Sequence, residues 1–237
     1  MIDARGLWRR TIHPVVGFQE LAAAPPPLAA SFLRMLALRV PVAYLAWAIA
    51  VVKFTLTYAA FKAMDGFVWK LLLPRLNEIS PDLRVEDLRA FLAQLPQLPS
   101  LGTLLAWGLL LAPVGIISLW LHDAVWDHGC LWLLGALKGK KVFRTTLVAE
   151  SEAFSVGVIG ALAALLGDIP ILGLLLGLPL LLVALYFWVL RGFSLAAFHG
   201  LPLWKGVAAT LLHILLAGCC LAGMLGLLGI VFFLPVA

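Results

Sequence analysis

What this 237-residue chain has least of is charge: Asp, Glu, Lys and Arg together make up 12% of it, against 63% hydrophobic residues. Soluble domains run at about 25% charged and about 45–50% apolar. A water-soluble fold is therefore excluded, because too little polar surface exists to cover a globule. In lipid no such cover is needed, and the composition is that of a polytopic membrane protein. Cysteine is scarce as well. Cys130, Cys219 and Cys220 supply no disulfide framework, and the adjacent pair lies in an apolar run where packing is expected rather than redox chemistry. Catalytic patterns are also missing. There is no nucleotide-binding glycine loop, no Ser/His/Asp or Cys/His arrangement at catalytic spacing, and no pairing of carboxylates is expected within the membrane. Asp168 is the only acid between the third and fifth expected spans, and it is read as part of a turn. The expectation is a protein that is not an enzyme and holds no cofactor.

The net charge of +5 and isoelectric point near 9.4 do not indicate nucleic acid. The basic residues are scattered at the borders of apolar runs, a pattern that sets orientation and meets anionic headgroups, so membrane lipids are the expected partners. The densest cluster is Lys138, Lys140, Lys141 and Arg144, with long apolar segments on both sides. A short basic turn of this kind is retained in the cytoplasm.

Counting outward from that turn predicts an all-α transmembrane bundle of five spans, with interfacial amphipathic helices. The spans fall at 40–61, 101–121, 153–167, 171–190 and 207–233. Residues 1–34 read as a cytoplasmic lead-in and not as a cleavable signal peptide, since no apolar core follows Arg5, Arg9 and Arg10 before Pro25. Within it, 14–24 is either a short interfacial helix or plain lead-in. Residues 62–99 form an external connection in which Ser80-Pro81-Asp82 caps a helix carrying Val85, Leu88, Leu92 and Leu95 at helical spacing. Residues 122–152 are expected to make a cytoplasmic interfacial hairpin. With the N-terminus inside, eleven basic residues fall on the cytoplasmic side and five on the other, and the C-terminus ends outside.

Few polar residues stand where function is read by default. Lys53 interrupts the first span; an intramembrane cation marks a site, or else extends its stem to the nearer interface. His128 and His199 fall near the same cytoplasmic face on the second and fourth spans, so with Lys53 they make a possible polar site. His122, Asp123, Asp127, His128 and Cys130 invite a metal reading, Asp123, Asp127 and Cys130 sharing a helical face and His122, Asp127 and His128 forming an alternative set. Against it stands an interfacial collar with Trp120, Trp126 and Trp132 as aromatic belt. Small residues at four-residue spacing, Gly160 with Ala164, Gly173 with Gly177, and Gly218 with Ala222 and Gly226, let helices approach closely.

The order of these features resembles the Yip1 family of five-span membrane proteins. The residues that carry the resemblance are Pro14 and Phe18; His128, Leu133, Leu134, Gly135 and 140–145; Glu152-Ala153-Phe154-Ser155; Ile169, Pro170 and Gly173; then His199, Gly200 and Lys205. The 62–99 connection is longer than that pattern. The resemblance implies association with vesicle trafficking and membrane shaping, with small GTPases and sister proteins as partners. Two functions follow as expectations. The first is a membrane scaffold that associates with itself or with a membrane-protein partner through the small-residue faces. The alternative is translocation of a lipid or small solute through a polar site between helices.

Overall fold

The computed structural model of the protein describes residues 3–62, 97–137, 142–167 and 170–233. Among them are eight helices and no strand: α1 (Ala4–Ile12), α2 (Pro14–Ala23), α3 (Leu28–Lys62), α4 (Leu101–Leu133), α5 (Phe143–Val156), α6 (Val158–Gly167), α7 (Pro170–His199) and α8 (Leu203–Phe233). Four of them, α3, α4, α7 and α8, are long and apolar enough to cross a membrane. A fifth crossing arises if α5 and α6, bent by 44° where they meet at Gly157, count as one broken span. The protein is an all-helical, multi-pass membrane protein.

The helices outrun the apolar stretches that mark them. α3 begins at Leu28, well before Val40, and α4 continues past Leu121 to Leu133. Of the segment 122–152, expected as an interfacial hairpin, 122–133 continue α4 and 143–152 belong to α5. Polar residues do not stop a helix when neighbouring helices satisfy them, which is what happens here. α4 and α7 end alike. Gly135 and Gly200 both sit at φ 60°, in the left-handed region that only glycine enters cheaply. Ala136 N–H reaches Leu131 O and Gly135 N–H reaches Trp132 O, both at 2.9 Å; Leu201 N–H and Gly200 N–H repeat the pattern on Ala196 O and Ala197 O. Each pair satisfies carbonyls that the helix end would otherwise leave open.

Residues 1–43 and 113–237 form one compact unit and 44–112 another. In the first, α7 is the hub, packed by α8, α5, α6 and α2. Its C-terminal part is buried, with Leu190, Leu195 and Ala196 at 0–1% exposure, whereas Leu175, Leu178, Leu181, Leu182 and Leu185 stay exposed as a lipid-facing surface. α7 and α8 approach most closely at Gly192 and Gly206, where each glycine lies against the other helix's backbone. The N-terminal lead-in belongs to this core: Asp3 caps α1 by accepting from Gly6 N–H at 3.0 Å, and Phe18 of α2 is fully buried. In the second unit, Trp47 Nε1 donates to Leu104 O at 2.9 Å and its ring lies over Gly108. The expected cap at Ser80, the helix of Val85–Leu95, Lys138, Lys140, Lys141 and Asp168 lie outside the described residues.

Candidate functional site

Asp123 and Asp127 are one turn apart on α4 and so share a face. Arg191 of α7 meets both: Nη1 lies 2.8 Å from Asp123 Oδ2 and Nη2 lies 2.8 Å from Asp127 Oδ2. Its Nε is 3.2 Å from Glu150 Oε2 on α5. His213 of α8 completes the group, with Nδ1 2.7 Å from Asp127 Oδ1. Four helices thus bring five ionisable side chains together, none more than 8% exposed. A planar guanidinium suits this role, since its donors fork toward several carboxylates at once. Trp188 covers the Arg191 guanidinium at 4.5 Å, and the Trp126 ring stacks on His213 at 5.8 Å. Asp123 and Asp127 share a face by their spacing on α4, and the fold adds Glu150 from α5, which spacing along one helix does not show.

A second ion cluster lies beside the first. Glu152, fully buried on α5, is 2.6 Å from Arg34 Nη2 and 3.8 Å from Arg10 Nη2. Burial pushes the Arg10 guanidinium below its ordinary pKa, and the Glu152 carboxylate opposes that shift. α1 and α3 are therefore tied electrostatically to α5.

His128 and His199 meet through a third residue. Thr146 Oγ1 of α5 is 2.8 Å from His128 Nδ1 and 3.0 Å from His199 Nε2. Lys53, grouped with them in the sequence reading, lies exposed on the part of α3 that belongs to the 44–112 unit. Thr146→Val keeps the size and removes the hydroxyl that both rings address. The expected loss is about 1–3 kcal/mol, read as a lower thermal unfolding midpoint in detergent, with most of it restored in Thr146→Ser. A Thr146→Val protein as stable as the parent would show that the hydroxyl contributes nothing.

The alternative metal sets do not assemble. His128 pairs with Thr146, and Cys130 is buried in an apolar cluster with Leu131, Ala149, Leu195 and Ala209. Among the described residues, the one group whose ligand atoms lie within 4.8 Å of one another is His122, Asp123 and His213.

A cavity of about 320 Å³ opens beside the ionic centre, between α3, α4, α5, α6 and α7. Its walls are apolar, from Leu119, Phe154, Leu180, Phe187 and Trp188, with Gly157, Gly160 and Ala164 as a thin side. Arg39, Asp123 and Arg191 supply its charge. Arg39 donates from Nη1 to Gly157 O at 2.8 Å and lies 5.4 Å from the Phe154 ring centroid. The same carbonyl accepts from Ala161 N–H at 3.0 Å, so Arg39 is its second donor at the joint between α5 and α6. It makes no ion pair among the described residues.

The small residues divide in use. Gly160 lies against the Phe187 ring and Gly173 against the Gly167 carbonyl, so both serve packing within the chain. Nothing lies within 4 Å of a Cβ built at Gly177 or Gly218, and Ala222 is exposed. Gly226 follows further along α8. Arg144 is exposed at the start of α5.

The residues missed in the sequence are Glu150, Arg191 and His213. Arg191 and His213 are single ionisable groups in apolar helices, which by itself marks a site; Glu150 stands beside Glu152 and carries no such signal. No family model, no curated protein and no solved structure matches this chain.

Proposed function

We propose that the protein binds an anionic amphiphile, foremost a phospholipid of its own membrane, in the cavity beside the ionic centre and moves it across the bilayer without chemical change. One observation carries this reading: the cavity joins apolar walls to a guanidinium, Arg39, whose contacts are a backbone carbonyl and an aromatic ring rather than a carboxylate at ion-pair distance. Acyl chains suit the walls, and a phosphate suits the charge. The level of the charge agrees. A span needs about 20 residues, and counted from Pro170 that length ends near Leu190, one residue before Arg191. The charged end of the cavity then lies at headgroup depth and the apolar walls below it.

Orientation belongs to the same proposal. The excess of basic residues on one side supports a cytoplasmic N-terminus and, with five crossings, a C-terminus on the opposite face. Kinship with the Yip1 family, carried by the order of motifs from Pro14 to Lys205, is proposed with it and fits five crossings.

The test is lipid retention followed by transfer. Protein purified in mild detergent is expected to retain anionic phospholipid, measured by mass spectrometry, and Arg39→Gln to retain about tenfold less, as loss of one charge-assisted contact implies. In proteoliposomes the parent is expected to move labelled anionic lipid between leaflets and the variant to do so more slowly. Equal retention by both proteins, or no retained lipid, ends the reading.

A second reading is supported by the uncovered faces at Gly177 and at Gly218 with Ala222: self-association within the membrane. A parent that sediments as a dimer and a Gly218→Leu variant that sediments as a monomer would favour it.

A further inference from the structure

The hydrogen-bond chemistry of His213 leaves an opening that no group of the described chain fills. Its Nδ1 lies 2.7 Å from Asp127 Oδ1, so in the neutral ring Nδ1–H donates to that carboxylate. Nε2 then carries a lone pair, and the group it faces is another acceptor, Asp123 Oδ1, at 3.9 Å. Two acceptors face each other with no hydrogen between them and too far apart for a hydrogen bond. A cation belongs there. His122 offers a third ligand atom: its Nδ1 is 3.1 Å from the same Asp123 oxygen, and all three ligand atoms lie within 4.8 Å of one another.

The groups behind these ligands are already fixed. A carboxylate on the far nitrogen of an imidazole orients the ring for metal binding, and Asp127 stands in that position toward His213. Asp123 is held through its other oxygen, Oδ2, by Arg191 Nη1 at 2.8 Å. Charge points the same way. At contact distance three carboxyl groups, Asp123, Asp127 and Glu150, face a single guanidinium, Arg191, so acidic groups outnumber the cation that meets them. Arg39, the next cation on the cavity wall, makes no ion pair with them.

We propose that His122, Asp123 and His213 form a binding site for a divalent transition metal, with Asp127 as the orienting partner of His213. Two imidazoles and one carboxylate suit zinc or a neighbour in its row rather than magnesium or calcium, which prefer oxygen ligands. Tetrahedral zinc with these ligands separates its donor atoms by about 3.3 Å, so binding draws the three together. His122, whose side chain is 49% exposed, is the ligand with room to move and leaves the fourth position accessible from outside. The site shares Asp123 with the cavity wall, but metal binding is read without lipid.

The test uses tag-free, full-length protein in detergent, stripped with a chelator and dialysed against Zn²⁺. One zinc per chain is expected by elemental analysis. His122→Ala, an exposed position with no role in the core, is expected to weaken binding about 10- to 100-fold in competition with a chromophoric chelator, and Asp127→Asn to weaken it by a similar factor through its hold on His213. Co²⁺ in place of Zn²⁺ is expected to show the visible bands of a tetrahedral site. Substoichiometric zinc in the parent, or unchanged affinity in His122→Ala, overturns the proposal and leaves protons as the species that neutralise the cluster. Neither result depends on lipid retention, so this site and the lipid reading stand or fall separately.

Discussion

Replacing Arg191 with alanine is expected to destabilise the protein by about 3–5 kcal/mol, the range seen when one partner of a buried ion pair is removed. The reason is the company that Arg191 keeps. Asp123, Asp127 and Glu150 all meet this one guanidinium, and all are buried. Without it they must take up protons, draw in water or push their helices apart. Arg191→Lys is expected to rescue only part, because an ammonium cannot reach three carboxylates through a planar fork. Exchanging the whole set together, Arg191→Met with Asp123→Asn, Asp127→Asn and Glu150→Gln, is expected to restore much of the stability, since neutral groups of similar volume need no counterion. Trp188, 4.5 Å from the guanidinium, supplies a fluorescence signal for the unfolding transition. An Arg191→Ala protein that unfolds within about 1 kcal/mol of the parent would show that the centre is held by packing and not by charge.

The second large effect is expected where α7 and α8 touch. A Cβ at Gly192 would come within 2.6 Å of Val207 Cα and 2.7 Å of Val207 N; one at Gly206 would lie 2.9 Å from Ala196 N. These are backbone atoms, with no rotamer to turn aside, so any side chain has to move a whole helix. Gly192→Leu and Gly206→Leu are each expected to lose about 3 kcal/mol, the upper part of the range for overpacking, and to carry His213 away from Asp127. Gly218→Ala is the control: nothing lies within 4 Å of its added methyl, and no loss of stability is expected. A stable Gly206→Leu would mean that the two helices do not meet as described.

What was legible in the sequence follows from the range of each signal. Hydropathy is summed over some twenty residues, so the membrane helices stand out even though their ends do not. The ends ran further because side chains such as Asp123, Asp127 and Glu150 find partners on other helices and do not seek water. The basic turn at Lys138–Arg144 was visible as composition alone. His128 and His199 were placed near one end of the bundle by counting spans, but the hydroxyl between them belongs to Thr146, a residue with no feature of its own in the sequence. Arg191 follows an apolar run, and one arginine at the end of such a run looks the same in sequence whether it faces headgroups or three carboxylates. Only packing tells these apart, and single-helix periodicity does not carry it.

The hydroxyl of Thr146 has one proton to give and two imidazole nitrogens beside it. The hydroxyl cannot donate to both rings at once, so at least one of the two facing nitrogens must carry a hydrogen and donate to it. When Thr146 donates to His128, the facing nitrogen of His199 must carry its own hydrogen, and when it donates to His199 the same holds for His128. Three residues on three helices thus exclude one combination of tautomers, and the state of either ring limits that of the other with no change in the path of the chain.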